Sequence, residues 1–269
     1  MAVTAKLLES KLMPWVYRKA KIVTVSNTSK QDILKLGLSE ERLIEVVNPG
    51  VDLDQLKPMK KTEYPSMLYL GRLQAYKSVD VAIKAMAMVS KRVPQLKFNI
   101  VGYGESKDSW QKLVDVLGLN ERVKFLGKVS ERVKAELLAK SWIMVQPSRF
   151  EGWGITVIEA NACGTPVVAA DVPGLRDSVH NPQNGILVPW GDVERMADGI
   201  YLLMTDKHLR SKLEKSSLDW AQHFSWDQSA ERFMRVINQA LTPVDNYSQS
   251  SKLSFVKQVS DNNQIKKHE

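Results

Sequence analysis

The chain has 269 residues, 43% of them hydrophobic and 25% charged, a composition that supports a packed core and excludes a fibrous or wholly disordered polymer. One cysteine, Cys163, excludes an internal disulfide framework, and four histidines scattered at His180, His208, His223 and His268 carry no metal-ligand spacing. A net charge of +8 favours anionic partners such as nucleotides or acidic headgroups, but no basic block interleaved with aromatics marks a nucleic-acid groove.

In chain order, the opening MAVTAKLLESKLMPW lacks the apolar block of a secretory leader, and no apolar run approaches the roughly 18 residues a membrane span needs. A cytoplasmic protein is expected. The first 21 residues mix Lys6, Lys11, Arg18, Lys19 and Lys21 with Leu7, Leu8, Leu12, Met13, Trp15 and Val16. That mixture suits peripheral contact with the inner, anionic face of a membrane or, more plainly, a helix separated from the domain it packs on.

Beyond it, short β-branched runs alternate with helical periodicity, which predicts an α/β fold with a mainly parallel sheet covered on both faces. Strands are expected at Ile22 to Val25, Ile44 to Val47, Met67 to Leu70, Lys97 to Val101, Val123 to Leu126, Trp142 to Gln146, Pro166 to Ala170 and Ile186 to Val188. Helices are expected at Thr28 to Leu36, Val79 to Arg92, Ser106 to Leu117, Glu131 to Ala139, Gly154 to Ala162, Val193 to Met204, Leu209 to His223 and Asp227 to Leu241. The helix from Val79 has the clearest stripe (Val79, Ala82, Ile83, Met86, Val89), with Ser78 placed to cap it.

The lysine- and proline-interrupted stretch around residues 53–65 reads as a linker, leaving 1–52 as the last part of one domain and 66–225 as a complete doubly wound domain. A C-terminal helix at 226–241 and a disordered polar tail at 242–269 follow.

The informative stretch is SRFEGWGITVIEANACGTPVVAADVPG, where Glu151 sits in a glycine-rich loop and Glu159 two turns into the helix that follows. In open α/β sheets, ligands bind beyond the carboxyl ends of strands, where a loop enters a helix N-terminus. Gly152 and Gly154 let the backbone approach a ligand, and free N–H groups near Ile155 and Thr156 suit an anion. Carboxylates are repelled by a phosphate, so Glu151 and Glu159 are expected to accept hydrogen bonds from hydroxyls on either side of it. A nucleoside diphosphate sugar has that layout. Upstream, the glycines of GYG at Gly102 and Gly104 lack a third at Lys107, which argues against NAD.

EGWGITVIE resembles the glutamate-x7-glutamate motif of retaining glycosyltransferases of family four, and VTVSNTSKQDILKLG, VVNPGVD, YLGRLQAYKSVDVAIKA, FNIVGYGE, VKFLGKVS and NGILVPWGD fall in that family's order. The resemblance spans Tyr17 to Leu241. It implies a GT-B fold, here one complete Rossmann-like donor domain plus the last part of an acceptor domain whose earlier part is absent. It also implies hexose transfer, with retention, from a UDP- or GDP-linked sugar to a hydroxyl acceptor such as a saccharide or lipid-linked saccharide.

By the same resemblance, Arg72 and Lys77 grip the diphosphate with Gly71 in the same loop, Glu159 holds the ribose, and Glu151 holds the transferred sugar. Gly102 and Gly104 give the nucleotide room, and backbone at Lys124 and Phe125 receives the base. Trp153 is expected as a wall of the sugar site. Glycine is the family's usual residue where this chain has Ser78. No cofactor and no metal are implied, and Asp52 and Asp54 of DLD are read as turn acids rather than metal ligands. A second reading, a nucleotide-sugar-binding module without transferase activity, shares the same pocket.

Overall fold

The computed structural model describes residues 12–241; the basic N-terminal residues 1–11 and the tail 242–269 lie outside the described residues. In chain order the elements are α1 (Met13–Tyr17), β1 (Ile22–Thr24), α2 (Asn27–Lys35), β2 (Ile44–Val46), β3 (Ser66–Leu70), α3 (Val79–Val89), β4 (Lys97–Val101), α4 (Lys107–Val116) and β5 (Val123–Gly127). There follow α5 (Glu131–Lys140), β6 (Ile143–Gln146), α6 (Ile155–Ala162), β7 (Val167–Ala170), α7 (Leu175–Ser178), β8 (Gly185–Val188), α8 (Val193–Thr205), α9 (Lys207–Ala221) and α10 (Trp226–Leu241). Every expected strand is present, and the α/β class is as the alternation predicts.

β1 and β2 form a small parallel pair, while the other six strands form one parallel sheet in the order β5-β4-β3-β6-β7-β8. The chain therefore builds outward from β3 in one direction, then returns to the far side of β3 and builds the other way. The reversal leaves a crevice between the carboxyl ends of β3 and β6, the switch point of a doubly wound sheet.

Alternation along the strands divides the core into two layers. Met67 and Tyr69 of β3 face a cluster with Ala82 and Met86 of α3, Trp110 of α4 and Ile200 of α8. Leu68 faces the opposite cluster, with Leu138 of α5, Val157 and Ile158 of α6, and Ala221 of α9. A buried amide network secures α6 below the crevice: Asn161 donates to the Thr165 carbonyl at 3.2 Å, and Asn184 donates to Asn161 at 2.6 Å.

The stretch expected as a linker is docked. Leu56 is buried, Asp52 Oδ1 accepts from the Asp54 and Gln55 amides, and the Trp142 indole donates to the Thr62 carbonyl at 2.8 Å. Asp52 is thus engaged in closing a turn. Contacts divide the chain into one compact unit through Ser229 and another from Ala230.

Two local expectations are corrected. The helix from Val79 ends at Val89 rather than Arg92, with the Ser90 amide closing it on Met86 O and a turn leading on to Pro94. Ser78 does not cap that helix: it is the one non-glycine residue with positive φ (51°) among the described residues, and its side chain makes no cap hydrogen bond.

Candidate functional site

The loop after β3 and the loop after β6 meet over the crevice. The first, Gly71 to Lys77, is laid against the β4 loop by bonds from the Leu73 amide to Tyr103 O at 2.8 Å and from the Ser106 amide to Leu73 O at 2.9 Å. The fully buried Tyr69 phenol anchors it from below by donating to Arg72 O at 2.9 Å. Burial pushes that phenol's pKa far above its ordinary value, so it remains a donor. Above it, Arg72 donates to the Tyr76 hydroxyl at 2.7 Å, and the Lys77 ammonium lies 5.1 Å from the Tyr76 ring.

The second loop brings Glu151 to Lys77. Their side chains pair at 2.6 Å and are only 11% and 13% exposed. Gln146, buried at the end of β6, donates to the same oxygen, Glu151 Oε1, at 2.6 Å. Two donors thus hold one carboxylate oxygen, and no hydrogen bond among the described residues occupies Oε2, which can accept from a substrate hydroxyl.

Gly154 then turns the chain in left-handed conformation (φ 80°), with no side chain capping α6. A Cβ there would lie 2.9 Å from Leu175 Cδ2 and from Ser178 Oγ, so only glycine makes this turn. The uncapped amides of Ile155 and Thr156 remain directed out of the helix start, as an anion requires.

Glu159 projects one turn further along α6, on the face shared with Ile155. It pairs with Lys134 at 2.8 Å, and Lys134 also meets Glu131 at 2.5 Å. Burial alone lowers the Lys134 pKa, but hydrogen bonds to Glu131 and Glu159 outweigh it and hold the ammonium above its ordinary value. A cavity of about 190 Å³ opens here, lined by Gly50, Asp52, Lys134, Ile155 and Glu159 among others. A larger cavity of about 670 Å³, between the C-terminal ends of α3 and α4 at Met88, Lys91 and Val116, contains none of the motif residues.

The structure therefore gathers Gly71, Arg72, Lys77, Glu151, Gly152, Ile155 and Thr156 around the switch point, with Glu159 one helical turn away. Trp153 is corrected: its ring is buried against Phe224 at a centroid separation of 5.2 Å, so it is a core residue rather than a wall of an open site. Gly102 and Gly104 are required by packing, since a Cβ would lie 1.8 Å from Gly71 O and 2.2 Å from Leu73 O respectively.

Lys124 and Phe125 stand at the second and third positions of β5, with the solvent and the core respectively; the strand's carboxyl end, where a ligand would meet it, is Gly127. Sequence reasoning missed Gln146, Tyr76 and Lys134. The spacing Glu131-x-x-Lys134 is a helical pairing that could have been read; nothing in the sequence shows Gln146 folding back onto Glu151.

The family model described as "Glycosyl transferases group 1" matches residues 52–220, well over half of the chain. The chain belongs to that family. Among its relatives is a D-inositol 3-phosphate glycosyltransferase of Frankia alni, 32% identical over 219 residues, covering 74% of this chain and 54% of the relative. Another, from Mycolicibacterium smegmatis, is 28% identical over 237 residues, covering 82% and 53%. This group 1 chain thus spans about half the length of the curated relatives it matches.

Sucrose-phosphate synthase from Thermosynechococcus elongatus superposes with a TM-score of 0.78 at 25% identity, over 88% of this chain and 62% of that one. Anabaena Alr3699/HepE in complex with UDP-glucose superposes with a TM-score of 0.78 at 22% identity, over 87% and 68%. The likeness bears out the GT-B type α/β fold expected for a group 1 member.

Among the described residues no group of three or more His, Cys, Asp or Glu is arranged to hold a metal ion, and no helix is long and apolar enough to cross a membrane.

Proposed function

We propose that the chain binds a nucleoside diphosphate sugar at the β3/β6 crevice and serves a glycosyltransferase that moves the hexose, with retention, to a hydroxyl acceptor. The observation that carries this reading is the Lys77–Glu151–Gln146 cluster beside the uncapped start of α6. It sets a cation and peptide amides next to a carboxylate whose other oxygen takes no hydrogen bond among the described residues.

Arg72, Lys77 and the Ile155 and Thr156 amides meet the diphosphate. Arg72 offers paired donors and Lys77 a point charge, while the helix start adds its dipole. As the sugar–phosphate bond breaks, negative charge grows on the leaving diphosphate, and these groups stabilise that charge more than the ground state. The same cations meet the diphosphate charge without a metal ion. Glu151 Oε2 accepts from a hydroxyl of the transferred sugar. Glu159 accepts from the ribose, and its ion pair with Lys134 holds the carboxylate in position for that task. UDP and GDP both suit the site, since backbone at the end of β5 receives the base.

Isothermal titration tests this with UDP, GDP and the 2′-deoxy form of whichever binds. Glu159→Ala is expected to weaken binding about tenfold, equivalent to ~1.4 kcal/mol for one charge-assisted hydrogen bond, and to erase the difference between ribo and deoxy forms. Equal affinities for wild type and variant would contradict the ribose role. A sugar-transfer assay then separates a complete transferase from a binding module.

A further inference from the structure

Arg149 lies in the loop after β6, two residues before Glu151, and takes no part in the arrangement described so far. Its backbone amide donates to Tyr76 O at 2.8 Å, which ties it to the loop carrying Lys77. Its guanidinium contacts two aromatic rings, 5.1 Å from the Phe150 centroid and 4.8 Å from the Trp190 centroid. Among the described residues no carboxylate lies within ion-pair reach of it.

The rings do not explain themselves as core. Phe150 is 61% exposed and Trp190 is 43% exposed. Trp190 is nonetheless fixed, because its indole N–H donates to Ser78 Oγ at 3.2 Å. Ser78 is the residue held at φ 51°, a left-handed conformation that is unfavourable for a non-glycine residue. A strained, buried serine thus anchors an exposed tryptophan that flanks an exposed arginine. Cation–π contact with both rings restrains the guanidinium, whose charge has no carboxylate partner among the described residues, so it can bind an oxyanion with less ordering cost.

We infer that Arg149, braced by Phe150, Trp190 and Ser78, binds an oxyanion, a carboxylate or phosphate, carried by the saccharide part of a substrate at this site. The substrate class is therefore an acidic sugar, either as a uronate donor or as an acidic or phosphorylated acceptor. This rests on the nucleotide-sugar reading proposed above.

The test is isothermal titration on the full 269-residue chain, with bare UDP and GDP as references. If UDP binds, UDP-glucose is compared with UDP-glucuronate; if GDP binds, GDP-mannose is compared with GDP-mannuronate. A second arm adds glucose or glucose 6-phosphate to the chain saturated with the nucleotide.

The expected result is a preference of about tenfold for the acidic member of one arm, lost in Arg149→Gln and partly restored in Arg149→Lys, with thermal melts showing both variants folded. A preference in the first arm places the oxyanion on the donor, and one in the second places it on the acceptor. No preference in either arm, or one that survives Arg149→Gln, overturns the inference while leaving the donor reading intact. If neither UDP nor GDP binds, the donor reading itself fails and the inference fails with it.

Discussion

At the residue scale, Glu151 carries more than its loop position suggests. Its spacing from Glu159 is visible in the sequence, and so is the cation at Lys77. The convergence of Lys77 and Gln146 on one oxygen depends on β3 and β6 being neighbours, which the sequence separation of 74 between Lys77 and Glu151 conceals. Trp153 differs from expectation for a related reason: a glycine-flanked aromatic reads as a wall of the site until Phe224, far along the chain, is seen to pack on it.

Lys61 gives a prediction at the same scale. Its ammonium donates to Thr165 Oγ1 at 2.6 Å in a mostly buried setting, and burial lowers its pKa from 10.5 to about 8. The folded chain therefore sheds this proton more readily than the unfolded chain. Below pH 8 both states hold the proton and the folded state bears the cost of burying the charge; between pH 8 and 10.5 stability rises as the folded state releases it. Lys61→Met is expected to stabilise the chain at pH 7 by up to about 3 kcal/mol and to flatten the rise, as read from urea unfolding between pH 7 and 10.5. An unchanged pH profile in the variant would contradict this.

At the scale of elements, periodicity reached the eight strands and all the long helices. It could not reach α7 or the 3-10 turn Ala75–Lys77, each a single turn with too few residues to show a repeat. Ser78 also escaped: a serine before a helix reads as a cap, and only the backbone shows it left-handed.

The glycines of the loops after β4 and β6 divide by what surrounds them. At Gly102 a Cβ would meet Gly71 O at 1.8 Å with φ at 140°, whereas at Gly152 the nearest atom is Val25 Cγ2 at 3.8 Å. Gly102→Ala is expected to destabilise by more than about 3 kcal/mol, while Gly152→Ala leaves the thermal melt nearly unchanged. Comparable melting losses in both would contradict this division.

At the scale of the molecule, the doubly wound sheet was legible because alternating strands and helices allow few arrangements, and right-handed crossovers order them. The docking of residues 53–65 was not, because its lysines and prolines carry no period. Its hold comes from scattered groups such as Leu56, Thr62 and Asp52 that find partners only in the folded sheet.

The central claim is that the β3/β6 crevice holds a diphosphate between Arg72, Lys77 and the start of α6, with Glu151 and Glu159 kept for hydroxyls. A crystal structure of the chain with bound UDP or GDP measures this directly. The account predicts phosphate oxygens within hydrogen-bond distance of Lys77 and of the Ile155 or Thr156 amide, and the ribose beside Glu159. A nucleotide seated instead in the cavity between α3 and α4, with the β3/β6 crevice holding only water, would contradict it.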